Sequence, residues 1–161
     1  MLPEALATAL EDADPASAVL HLALAHFGCQ TGTVHILVHD VLKLAAHVNI
    51  PAPLLPIIET VPVGKGIAGL AALKGIPITI CNLQTDDSGQ ARPGAKATGM
   101  EGSVAVPMIV DTEIVGVFGI AKIEAHDWTD AEKAELMEIA AQLGVKHMIT
   151  EKDADTLGAE I

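Results

Sequence analysis

SVAVPMIVDTEIVGVFGI, Ser103 to Ile120, reads as two strands folded back on one another. Runs rich in Val and Ile, Gly102 to Val110 and Glu113 to Ile123, flank Asp111 and Thr112, and a two-residue polar link of this kind joins neighbouring antiparallel strands. The sheet that holds them is therefore antiparallel at this point. Toward the C-terminus, Trp128 to Glu132 carries T-x-x-E, in which Thr129 caps a helix and Glu132 reaches back to it. Leu136, Ile139, Ala140 and Leu143 then recur at helical spacing, with Met148 continuing the stripe. The charged tail from Glu151 is expected to fray.

Toward the N-terminus, Thr31 to His39 alternates, with Val34, Ile36 and Val38 on one face and His35, Leu37 and His39 on the other. Val41 to Ile50 follows after a turn near Asp40 and forms a second hairpin with it. Two helices come first. One covers Leu2 to Ala13, and the next has Asp14 as N-cap, Pro15 at its first position and a stop at Gly28. In the middle, Pro51, Pro53 and Pro56 break the chain, Leu54 to Thr60 holds a short helix, and Ile76 to Leu83 is a strand. Gln84 to Gly99, rich in Asp, Ser, Gly and Pro, is long enough to act as a functional cover. Strands in hairpins with helices gathered at the ends imply an α+β fold. Its antiparallel sheet has the terminal helices on one face and the short helices and long loop, over a ligand pocket, on the other. We expect a single domain over residues 1–150.

Composition narrows the function classes. Of 161 residues only two are Phe and one is Trp, with no Tyr, so the core is built from Val, Ile, Leu and Ala and no aromatic platform exists for nucleic acid. The net charge of −12 repels a phosphate backbone. No apolar run reaches the length of about 18 residues that spans a bilayer, and the basic start of a signal peptide is missing, so a cytoplasmic location is expected. Cys29 and Cys81 are too few for a disulfide framework and are read as buried, reduced thiols.

Charge is uneven. Between Thr60 and Met100 stand Lys65, Lys74, Arg92 and Lys96 against Asp86 and Asp87, a local excess of positive charge in an acidic chain. In the same segment lies VPVGKGIAGLAALKGIPITIC, Val61 to Cys81, a glycine turn, a helix and a strand in succession. No Ser, Thr or Asp caps that helix, so its first N–H groups stay free, as in an anion site. Lys65 could hold an anion at the pocket mouth, His47 could line the pocket with a hydrogen bond, and Glu101 could close its floor or bridge Lys65 or Arg92. Asp86 and Asp87 read as a solvated turn. The seven histidines lack a recognised metal spacing, and no metal, cofactor or catalytic group is expected.

From Pro15 to Leu143 the chain resembles the GAF family of small-molecule sensor domains. VGKGIAG at Val63 to Gly69, the Ile76 to Asn82 strand, the hairpin of Ser103 to Ile120 and the DWTDAEKAELMEIAAQ helix carry the resemblance. It implies six antiparallel strands, a pocket between sheet and middle helices, and dimerisation through the terminal helices. Within the family the chain looks like the single-domain nitrate sensors of the Nre type. That likeness implies that the N–H groups of Ile67 and Ala68, next to Gly66, hold an anion with help from Gly99 to Val104, hence Met100, Gly102 and Ser103. The aromatic residues that enclose the ion in those sensors have no counterpart here. The expectation is a sensor of a small anion, such as nitrate, that signals by contact with a sensor kinase or similar protein. Two alternatives differ from it: a ligand-free dimerisation module, and a free methionine-R-sulfoxide reductase, whose cysteine position in this helix is occupied by Ala68. Cyclic nucleotides and bilins are disfavoured because their signature residues are missing.

Overall fold

In a computed structural model, residues 2–160 are described, with side chains through Glu151. Six strands form one sheet: β1 (Thr31–Val38), β2 (Val41–Val48), β3 (Thr60–Pro62), β4 (Ile78–Ile80), β5 (Gly102–Val110) and β6 (Glu113–Lys122). Their order is β3-β2-β1-β6-β5-β4, and every neighbouring pair is antiparallel. The α+β fold expected from the hairpins is the one observed. At the β5–β6 turn Asp111 and Thr112 have φ of 49° and 70°, the left-handed pair whose twist matches the flanking strands. His39 at the β1–β2 turn has φ of 59°. It therefore belongs to the turn and not to the strand face assigned to it from the alternation.

Among the described residues five α-helices complete the fold: α1 (Leu2–Leu10), α2 (Pro15–Phe27), α3 (Leu55–Ile58), α4 (Gly66–Lys74) and α5 (Asp130–Glu160). The Asp14 carboxylate accepts the Ser17 N–H at 3.3 Å, and Gly28, at φ 67°, ends α2. At the start of α5 the Thr129 hydroxyl accepts the Glu132 N–H at 3.1 Å while the Glu132 carboxylate accepts the Thr129 N–H at 2.9 Å. His126 Nε2 joins the same carboxylate at 2.9 Å. Burial works against the charged form of Glu132, but these bonds outweigh it and hold its carboxyl below the ordinary glutamate value. Thr129→Ala removes the cap and should cost about 1 kcal/mol, seen as a lower midpoint in thermal denaturation.

One face of the sheet packs on α2 and α5 through Val34, Val106, Met108, Phe118 and Ile120, against Leu20, Leu24, Leu136 and Ile139, and α1 packs on α2 and α5. The alternate positions Ala105 and Val117 face the other way, onto Ala71 and Ala72 of α4 with Leu42 and Val61. The period of two along β5 and β6 thus separates a thick layer of terminal helices from a thin layer of middle elements. Trp128 plugs the end of the thick layer. The Phe27 ring lies 6.4 Å from it, and the Lys122 ammonium stands 5.6 Å from its centroid.

Several boundaries differ from the sequence reading. β3, an edge strand not expected from the sequence, begins at Thr60, the last residue of the helix expected over Leu54 to Thr60, and α3 is confined to Leu55–Ile58. The expected strand Ile76 to Leu83 shrinks to β4, which starts only after Pro77, a residue with no N–H to donate to a ladder, and ends at Ile80. α1 stops at Leu10, and beyond it the Asp12 carboxylate reaches forward to accept the Asp14 N–H at 2.9 Å. β2 ends at Val48, with Asn49 at φ 55°. Cys81 is exposed, contrary to expectation, since the strand alternation that buries Ile80 turns the next side chain outward. Cys29 is buried as expected, and its thiol is pushed up to about 12 by burial, against the opposing pull of Lys122. No helix among the described residues is long and apolar enough to cross a membrane. The tail expected to fray has its side chains after Glu151 outside the described residues.

Candidate functional site

The turn before α4 is built by close backbone approach. Lys65 N–H donates to Pro62 O at 3.1 Å, Gly64 N–H to Gly69 O at 2.8 Å, and Gly69 N–H to Lys65 O at 3.1 Å, which is the first helical bond. A Cβ at Gly69 would lie 2.6 Å from Pro62 O, so only glycine closes this turn. Lys65 is the N-cap and its side chain makes no cap bond. The N–H groups of Gly66, Ile67 and Ala68 come before the first helical acceptor, and they carry the positive end of the helix dipole.

Those residues open on a cleft of about 300 Å³ between the sheet, α3, α4 and the long loop. Ile50, Leu54, Ile57, Ile58, Val61 and Ile67 supply apolar walls. A smaller inner recess adds Leu83, Ser103 and Ala105, and Thr33, Ala68, Ala95 and Thr98 are common to both. The roof is a 3₁₀ turn over Pro93–Thr98. Gln84 pins it by donating from Nε2 to Lys96 O at 3.1 Å and Met100 O at 2.8 Å. Arg92 lies across the mouth: a Cβ at Gly66 would stand 2.9 Å from both Cγ and Cδ of the arginine. Arg92 and Lys65 are exposed, and among the described residues neither has a carboxylate within ion-pair distance.

Of the residues anticipated from sequence, Lys65, Gly66, Ile67 and Ala68 line the cleft and Ser103 lines its inner recess. Four others do not line either part. His47 sits opposite Thr33 in the β1–β2 register but is exposed beyond the rim. Met100 is held at the foot of the loop through its carbonyl. Glu101 bridges neither Lys65 nor Arg92, because its Oε1 accepts the Asn82 Nδ2 at 3.2 Å. Gly102 packs under His126, where a Cβ would meet the His126 Cβ at 2.8 Å.

The residue that sequence reasoning passed over is His35. Its alternation with Thr33 and Leu37 already placed it on the face away from the large core, and that was the available signal. It is 2% exposed, forms part of the cleft wall, and its Nε2 bonds to Ile58 O at 2.9 Å. A carbonyl only accepts, so Nε2 carries the proton. Nδ1 is buried with no partner. Burial lowers the pKa of the imidazole, and the bond to Ile58 opposes this only in part. The unfolded chain therefore binds a proton more readily than the folded one, and folding stability falls as pH drops below the ordinary histidine value of 6.5 toward the lowered folded value. Urea denaturation at pH 7.5 and 5.5 should show lower stability at the acid pH. His35→Gln should flatten that difference.

The GAF-domain family pattern matches residues 13–145. This chain belongs to the GAF family. Among solved structures the GAF domain of a phosphoenolpyruvate-protein phosphotransferase from Coxiella burnetii superposes with a TM-score of 0.79 at 17% identity, covering 96% of this chain and 94% of that one. The corresponding Acinetobacter domain gives 0.78 at 13% identity, with 94% and 92% covered. A free methionine-R-sulfoxide reductase from Neisseria meningitidis, in complex with its substrate, gives 0.77 at 17% identity, with 94% and 89% covered. At these identities the superpositions establish the shared fold alone. No curated protein sequence matches the chain. In this GAF domain neither cysteine lines the cleft. Among the described residues no three His, Cys, Asp or Glu side chains gather as metal ligands.

Proposed function

We propose that this GAF domain is a sensor that binds a small anion at the N-terminus of α4 and passes the signal on by protein contact. The observation that carries the reading is the row of free N–H groups at Gly66, Ile67 and Ala68, opening on a cleft whose mouth holds two cations, Lys65 and Arg92, without carboxylate partners. In an acidic chain that arrangement selects a small negative group and rejects a long polyanion. Nitrate is one such group. Binding is favoured over reduction because a thiol reductase needs a thiolate in reach of its substrate, and here Ala68 faces the cleft, Cys29 is buried with a raised pKa, and Cys81 lies outside.

Residues 1–150 form the sensing unit in this reading, which acts in the cytoplasm without cofactor or metal. A homodimer contact is supported by Val145 and Ile149, exposed apolar residues one helical turn apart on α5, and the same surface suits a sensor kinase or similar partner. The alternative of a ligand-free dimerisation module draws on these two residues alone. Thermal shift with nitrate, nitrite and acetate, set against neutral acetamide, separates the readings. A midpoint that rises with the anions and not with acetamide supports anion sensing, and a midpoint indifferent to all four overturns it.

A further inference from the structure

We propose that the ligand of this cleft is a small organic carboxylate with an apolar body and a hydrogen-bond donor near its charged end, the donor meeting His35 Nδ1. The proposal rests on the anion reading above and adds the rest of the molecule. A volume of about 300 Å³ falls at the lower end of small-molecule pockets, roughly 300 to 1,000 Å³, and far exceeds the needs of a four-atom ion. The walls beyond the α4 amides are Ile, Leu and Val, and Ile57 in that wall is 48% exposed, apolar surface that only an apolar ligand removes from water.

The second, independent observation is His35. With its Nε2 proton committed to Ile58 O, the neutral ring of this cleft-wall residue keeps a buried acceptor at Nδ1 that has no partner. The great majority of buried polar atoms are paired, and one left unpaired on a residue that lines a cavity points to a group that arrives with the ligand. Nitrate brings only acceptors, which a neutral imidazole lone pair repels. A hydroxyl or amino substituent brings the donor this atom needs, while the carboxylate takes the α4 amides, Lys65 and Arg92.

Isothermal titration with hexanoate, 2-hydroxyhexanoate, hexanamide and nitrate tests this. The expected order is 2-hydroxyhexanoate about tenfold tighter than hexanoate, from one added hydrogen bond, and hexanoate at least tenfold tighter than nitrate, from apolar burial. His35→Leu should remove the hydroxyl preference while hexanoate still binds. Should that variant fail to fold, the hexanoate pair on the unaltered protein decides alone. Nitrate binding as tightly as the carboxylates overturns the organic ligand and leaves the anion reading standing. Equal affinity for hexanamide and hexanoate overturns the anion reading itself. Silence toward all four overturns both, and equal affinity for the two carboxylates overturns the role of His35.

Discussion

Replacing Ala68 by aspartate should weaken anion binding at least tenfold and leave the fold intact. Ala68 lies at the third position of α4, in the wall of the cleft, and its N–H is one of those left without a helical acceptor. An aspartate there places its own carboxylate among these N–H groups and occupies the positive end of the helix. Each charge-assisted hydrogen bond lost to the ligand is worth about 1.5 to 3 kcal/mol, so affinity should fall by at least tenfold and by more if two amides are lost. Stability should hold or rise by about 0.3 to 1 kcal/mol, because a negative side chain suits the first turn of a helix. Titration calorimetry and thermal denaturation on the same preparation separate the two effects. A variant that unfolds, or one that binds anions as before, contradicts the site.

The largest effect on stability should come from Phe118→Ala. Phe118 lies on β6, pairs with Val34 of β1 and Val106 of β5, and is fully buried beneath the terminal helices. Truncation leaves a cavity that β1 and β5, hydrogen-bonded on either side, cannot relax to fill. The cost should be about 3 to 5 kcal/mol, a large share of the roughly 5 to 15 kcal/mol by which such domains are stable. Urea denaturation measures it directly. Leu73→Ala, at a leucine 62% exposed on α4, serves as the contrast and should change stability by no more than about 0.5 kcal/mol.

Much of the fold was legible because its signals are local. Asp111 and Thr112, Asp14 with Pro15, Gly28, and Thr129 with Glu132 each fix an element end through a bond or dihedral within a few residues. β3 was not legible, since three residues carry no period and their strand character comes only from pairing with Val41, Leu42 and Lys43. The site divides in the same way. Lys65 to Ala68 are contiguous, and the glycine spacing exposes them in the sequence. His35 joins them through a fold contact with Ile58, 23 residues away, and Arg92 through a loop that folds back over Gly66. His47, Met100, Glu101 and Gly102 are near the cleft along strands or at the foot of the loop, but other partners or solvent claim their side chains or backbone.

The central claim is that an anion sits on the amides at the start of α4, and amide chemical shifts report on those amides one by one. In a titration of nitrogen-15 labelled protein with hexanoate and with nitrate, the Gly66, Ile67 and Ala68 resonances should move most, saturably, with Lys65 and the Arg92 side chain following. Shifts that stay below the noise at these three residues, or that gather on another surface while they remain still, would contradict the account.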